Sequence, residues 1–141
     1  METKDKTTIT VQTTVNAPIE KTWDYWTTPK HIMQWNNASD DWYSPIAVND
    51  LRVGGKFNFR MEAKDGSMGF DFEGTYNEVK VKERIAYKII DGREVHITFT
   101  AKGNATEVTE TFVPEEENTL ELQRGGWQAI LDNFKKYTEA N

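Results

Sequence analysis

The spacing of apolar residues along this chain changes twice, and each change marks a change of element. Residues 8–15 alternate strictly, with Ile9, Val11, Thr13 and Val15 on one side and polar side chains on the other, the period of a half-buried strand. Residues 1–6, METKDK, carry no such pattern and read as a disordered tail. In NAPIEKTWDYW the period lengthens: Ile19, Trp23 and Trp26 fall at i, i+4 and i+7 and form one helical stripe. Pro18 suits the first helical position, where its missing amide would be unpaired anyway. TTPKHIMQW repeats the device, with Thr28 as candidate N-cap, Pro29 at the first position, and Ile32, Met33 and Trp35 as the buried side of a second short helix. Residues 36–45, NNASDDWYSP, read as loop.

From Leu51 the period is two and stays so. Phe57, Phe59 and Met61 share a face; after the turn KDGSMG, Phe70, Phe72 and Tyr76 do the same, and the two runs pair as a hairpin. Ile85, Tyr87 and Ile89 lead into the turn Asp91-Gly92, Val95, Ile97 and Phe99 follow it, and Gly103-Asn104 turns the chain into a last strand with Val108 and Phe112 inward. An antiparallel sheet with one apolar face needs a cover on that face. The only long helix available to supply it begins near Asn118, which stands three residues before Glu121 in capping-box spacing. From there Leu120, Gln123, Trp127, Ile130, Leu131 and Phe134 trace one side. The order is strand, two short helices, a run of strands and one long helix, which predicts an α+β domain over 1–141 whose curved sheet grips the terminal helix.

Within that helix two adjacent glycines, Gly125 and Gly126, cost roughly 1 kcal/mol each relative to alanine. Two readings offset the cost. The glycines let the helix bend or let a neighbouring backbone approach, or they leave volume beneath the helix so that Trp127 becomes a wall instead of a plug.

Composition narrows the chemistry. A chain of 141 residues buries roughly 70% of its unfolded surface, enough for a core. It has no cysteine and two histidines, His31 and His96, which disfavours disulfides, thiolate chemistry and zinc. The net charge of −6 is the wrong sign for nucleic-acid binding. No apolar run reaches the roughly eighteen residues of a membrane span and the N-terminus has no signal core, so the expected location is the cytoplasm, without membrane attachment. No phosphate loop, dinucleotide fingerprint or metalloprotease motif is present, and no cofactor is expected. The unusual quantity is aromatic: five Trp, five Tyr and seven Phe.

The stretches APIEKTWDYWTTPKHIMQW, DLRVGGKFNFRM, KDGSMGFDFEGTYNEV and GGWQAILDNFKKY resemble, in order and spacing, the branch of the START-like superfamily named for activators of the heat-shock-protein-90 ATPase. The resemblance runs over nearly the whole chain. It implies the helix-grip fold: a curved antiparallel sheet of six to seven strands, two short helices after the first strand, and one long C-terminal helix on the concave face. It also implies a cavity between sheet and helix that accommodates lipids, sterols, polyketides or plant-type aromatics. Three functions follow. The first is non-enzymatic binding of a small hydrophobic or aromatic ligand. The second is a chaperone-associated interaction protein of the stress response, although nothing in these residues matches the chaperone-binding domain of the eukaryotic co-chaperones. The third is a cyclase-like enzyme acting on a polyketide. A monomer or weak dimer is expected.

The candidate cavity residues are Trp35, Phe57, Phe59, Met61, Phe70, Phe72, Tyr76, Tyr87, Phe99, Glu110, Gln123, Trp127, Ile130 and Leu131. The same rings also suit plain core packing; what favours a void is the difficulty of close-packing so many large rings on a concave sheet. Trp35 and Trp42 flank the polar loop and suit one mouth of the cavity. Glu110 is the anomaly. Strict alternation from Val108 to Phe112 places its carboxylate on the buried face, where it needs a donor such as Arg124, takes up a proton, or marks a polar end of the pocket. A β-bulge or an open rim would instead release it. His31 reads as a capping or surface residue and His96 as outward-facing; Gly54-Gly55 reads as a bend or bulge, and residues 115–117 as a solvated acidic loop.

Overall fold

The computed structural model describes residues 7–141; the tail expected at 1–6 lies outside them. The elements run β1 (Ile9–Val15), α1 (Ile19–Thr27), α2 (Pro29–Trp35), β2 (Trp42–Asn49), β3 (Lys56–Ala63), β4 (Gly69–Lys80), β5 (Arg84–Ile89), β6 (Glu94–Lys102), β7 (Ala105–Phe112) and α3 (Leu120–Ala140). The strands form one curled antiparallel sheet in the order β1-β7-β6-β5-β4-β3-β2, a half-barrel closed on its concave side by α3. This is the helix-grip arrangement.

The hairpin turns fall where the dipeptides put them, with Gly66, Gly92 and Gly103 all at positive φ. Six of the seven strands are where the alternation of the sequence puts them, and β4 keeps its period as far as Tyr76, where a register shift against β5 follows. The seventh, β2, corrects it: Trp42 to Pro45, read as loop, open an edge strand. Pro45 and the register shift between Tyr43 and Ile46 hide its period, and an edge position tolerates both. Two other assignments move. Pro18 is the N-cap of α1 and not its first helical residue, and Met33 of α2 points to solvent while Ile32 and Trp35 are buried. Thr28 occupies the N-cap of α2, but its hydroxyl bonds Asp24 and not the helix amides.

At α3 the cap is Thr119, one residue later than expected. Its hydroxyl accepts from the Leu122 amide at 3.0 Å, and Asn118 sits in the preceding turn, held by both oxygens of Glu115. Leu120 is consequently half exposed instead of buried. The helix is fixed against β1 by polar side chains as well as apolar ones. Arg124 donates to the Thr10 carbonyl at 2.9 Å, Gln128 to the Gln12 carbonyl at 3.1 Å, and Lys135 to the Thr14 carbonyl at 2.8 Å. These residues lie on one helical face and reach alternate residues of the strand, so the free edge of β1 is covered by α3.

The two halves of α3 differ. Leu131, Phe134 and Thr138 are fully buried, with Phe134 edge-on to Trp26 and Trp35 at 4.8 and 4.9 Å. Toward the N-terminus, Trp127 and Ile130 are only half-buried. The core therefore closes under the second half of the helix and stays open under the first.

Candidate functional site

That opening is a cavity of about 320 Å³ between the first half of α3, the ends of α1 and α2, and the concave face of the sheet. Of the fourteen expected residues, Trp35, Phe59, Met61, Phe70, Phe72, Tyr87, Glu110, Gln123, Trp127 and Ile130 line it. The other four do not, because neighbouring side chains already cover them. Phe57 is the hub of a floor cluster, 4.7 Å from Tyr87, 4.9 Å from Phe59 and 5.3 Å from Tyr76. Gly74, its cross-strand partner, makes room for the ring; a Cβ there would stand 2.9 Å from it. Tyr76 is buried beside Phe57 with its hydroxyl on Asn49. Phe99 sits under Trp23 and Trp26, and Leu131 is sealed in the closed half of the core.

The walls are held by stacking. Trp127 lies flat on Phe112, ring centroids 3.9 Å apart and planes at 12°, and meets Phe72 edge-on at 6.1 Å. Its ring is fixed as a wall. Phe70, half exposed, forms the rim and packs against Trp42 at 5.9 Å, so Trp42 supports the mouth from outside the cavity. Neither helix glycine makes a close contact. A Cβ at Gly125 or Gly126 would meet nothing within 4 Å, so no neighbouring backbone approaches them. Space, and not close contact, surrounds this stretch of helix, and Gly126 stands between the lining residues Gln123 and Ile130 at i−3 and i+4.

Five lining residues were not foreseen: Trp26, Asn36, Arg93, Glu115 and Asn118. Trp26 was visible as part of the α1 stripe. The other four come from loops or an element end, whose folding back over the cavity leaves no periodic signal in sequence. Each spends hydrogen-bonding groups on the protein. Arg93 donates to Asp91 at 2.8 Å and to the Val113 carbonyl; Glu115 is bonded to Asn118; Asn36 donates to the Met61 sulfur at 3.5 Å. Gln123 is likewise engaged. Its Nε2 donates to the Glu115 and Asn118 carbonyls at 3.0 and 2.9 Å, and its Oε1 accepts from the Glu115 amide at 2.8 Å, clamping the acidic turn onto the helix.

Glu110 is different. The β7 ladder runs without a bulge, burial alternates through Thr106, Val108, Glu110 and Phe112, and the carboxyl stands on the concave face at 5% exposure. Its cross-strand neighbours are Val11 and Ile97, both buried and apolar. Arg124, the donor expected for it, bonds Thr10 instead. Among the described residues Glu110 has no hydrogen-bond or ion-pair partner, and burial pushes its carboxyl up to about 8. The Tyr87 phenol, facing the same cavity, is raised well above its ordinary value, by burial first and by Glu110 second.

His31 is neither a cap nor a surface residue: Nδ1 bonds the Tyr137 hydroxyl at 2.7 Å and the ring stacks on Tyr25 at 3.9 Å, tying α2 to α3. His96 is half exposed on the outer face beside Arg84 and Glu94. Gly54, at φ 84°, and Gly55 form the turn between β2 and β3 and bond Tyr76 of β4.

The profile of the family described as activator of Hsp90 ATPase homolog 1-like protein matches residues 16–139. The chain belongs to this family. The AHSA1-like match spans α1 through α3 and includes every residue that lines the cavity. Among solved structures, the AHSA1-like protein of Aeromonas hydrophila is 44% identical, with 95% of this chain and 93% of that chain covered and a TM-score of 0.89. A protein of Cytophaga hutchinsonii is 56% identical over 94% and 92% of the two chains, TM-score 0.82. A protein of Chromobacterium violaceum, 21% identical over 96% and 99%, TM-score 0.85, shares the fold. No curated protein matches the chain. Among the described residues no helix is long and apolar enough to cross a membrane.

Proposed function

We propose that this AHSA1-like domain binds a small, mostly apolar aromatic ligand between its sheet and the first half of α3. One observation carries the reading: a cavity of about 320 Å³ walled by aromatic rings keeps a single buried carboxyl, Glu110, without a partner in the protein. A volume of that order suits a ligand of two or three fused or linked rings, and apolar walls with few polar groups are the usual make-up of small-molecule sites. Leaving a buried polar group unpaired costs roughly 1–3 kcal/mol, a cost that a bound ligand removes by supplying the missing partner.

A screen of several hundred metabolites by ligand-observed NMR tests this. A true ligand raises the melting temperature and shifts amide signals of Phe59, Met61 and Trp127. A library of lipids, polyphenols and aromatic metabolites that produces neither effect refutes it.

A second reading rests on the outer surface. The edge strand β2 exposes Tyr43, Ile46 and Val48, an unpaired apolar edge of the kind that another protein can cover, and the family description points to a chaperone as the partner. An ATPase assay of the chaperone with and without this domain, repeated with Ile46→Lys, separates this reading from the first, because that substitution leaves the cavity untouched.

A further inference from the structure

The polar inventory of the cavity is uneven. Arg93, Glu115, Asn118, Gln123 and Asn36 each spend hydrogen-bonding groups on the protein, and the ionisable side chains of the lining that have no partner among the described residues are Glu110 and Tyr87. Both can accept a hydrogen bond. The one cation in the lining, Arg93, is taken up by Asp91 and the Val113 carbonyl. Around them stand the rings of Trp26, Trp35, Phe59, Phe72 and Trp127, whose electron-rich faces attract positive charge. We propose that the ligand class is an organic cation, an amine carried on an aromatic body, whose ammonium seats against the Glu110 carboxylate and the Tyr87 hydroxyl within this aromatic wall.

The inference rests on the ligand-binding reading above and specifies its chemistry. An anionic ligand would meet the Glu115 carboxylate, hold Glu110 in its neutral form and find a guanidinium already bonded. A neutral alcohol satisfies Glu110 but makes no use of the ring faces beyond contact. An ammonium uses both. The titratable and charged groups that share the cavity with Glu110 are Tyr87 from β5, Arg93 from the turn before β6 and Glu115 after β7, with only uncharged side chains from α1, α2, α3, β3 and β4; Val11 of β1 and Ile97 of β6 flank it. Binding therefore has a proton balance. The amine enters already protonated, the Glu110 carboxyl gives its proton to the buffer, and an ion pair replaces a neutral acid. With Glu110 titrating at about 8, roughly 0.9 proton is released per complex at pH 7, and almost none above pH 9.

The test uses three probes of one shape, 2-naphthylmethylamine, 2-naphthylmethanol and 2-naphthoate, titrated calorimetrically at pH 7 in phosphate and in Tris, whose ionisation enthalpies differ. The expected result is at least about tenfold tighter binding of the amine than of the alcohol, naphthoate weakest, and proton release with the amine alone. In Glu110→Gln, which keeps the side-chain volume, the amine loses both its preference and its proton release while the alcohol still binds. Equal or tighter binding of the alcohol or of naphthoate, or an amine that binds without releasing a proton, overturns the cation proposal and leaves the cavity reading standing. Failure of all three probes to bind or to raise the melting temperature overturns both.

Discussion

The Glu110→Gln substitution has a consequence for folding that needs no ligand. Below pH 4.5, the ordinary value for a glutamate, the carboxyl is protonated in both the folded and the unfolded chain and contributes no pH dependence. Between 4.5 and about 8 the unfolded chain has lost the proton while the folded chain holds it, so folding takes up a proton and stability falls as pH rises. Above about 8 the folded carboxyl ionises too, and the whole cost is present. At about 1.4 kcal/mol per pH unit across that interval the ceiling is about 4–5 kcal/mol; water admitted through the mouth of the cavity screens the charge, so we expect about 2–4 kcal/mol. Glutamine mimics the protonated acid at every pH. The variant should therefore match the parent near pH 4.5, gain on it steadily through neutrality, and level off above pH 8. Urea unfolding followed by tryptophan fluorescence at pH 5, 6, 7, 8 and 9 measures this directly, and other titrating groups cancel in the difference between the two proteins. A difference that stays flat across the series would refute the reasoning, since it would mean that Glu110 is solvated or paired.

Three further outcomes follow from packing. Replacing Gly125 and Gly126 with alanine should stabilise the fold by about 1–2 kcal/mol in thermal unfolding, because each added methyl meets open space and removes a helix penalty; a loss of stability would mean that a close contact exists there. Gln123→Leu should cost about 1–3 kcal/mol and raise amide exchange across residues 115–119, since the clamp on that turn is lost; unchanged exchange would count against the clamp. Thr138→Val should be neutral or stabilising by up to about 1 kcal/mol in urea midpoint, because the buried Thr138 hydroxyl has no partner and the two side chains have the same shape. A clear loss would show that the hydroxyl is bonded after all.

Local pattern carried much of this architecture. The alternation in β1, β3, β5, β6 and β7 and in β4 as far as Tyr76, the positive-φ glycines of the turns and the apolar stripe of α3 are short-range signals, and each strand with one oily face requires a cover that only one helix is long enough to supply. Even the placement of Glu110 was legible, because a ladder without a bulge leaves a side chain no choice of face. Where alternation is interrupted the sequence loses its voice: β2, with Pro45 and a register shift, reads as loop, and the α3 cap is decided between Asn118 and Thr119 by which side chain reaches an amide. The cavity itself is of another kind. Phe57 and Phe59 have identical local signatures, yet one is sealed beneath its neighbours and the other faces the void. Arg93 and Glu115 arrive from loops that no period announces, and His31 is bonded to Tyr137 of a helix more than a hundred residues away. Sequence by itself determined which faces are oily and in what order the elements come, because those are properties of neighbouring residues. Tertiary structure alone decided how far the helix settles into the sheet, since the size of the space left over is a small difference between large volumes contributed by distant parts of the chain.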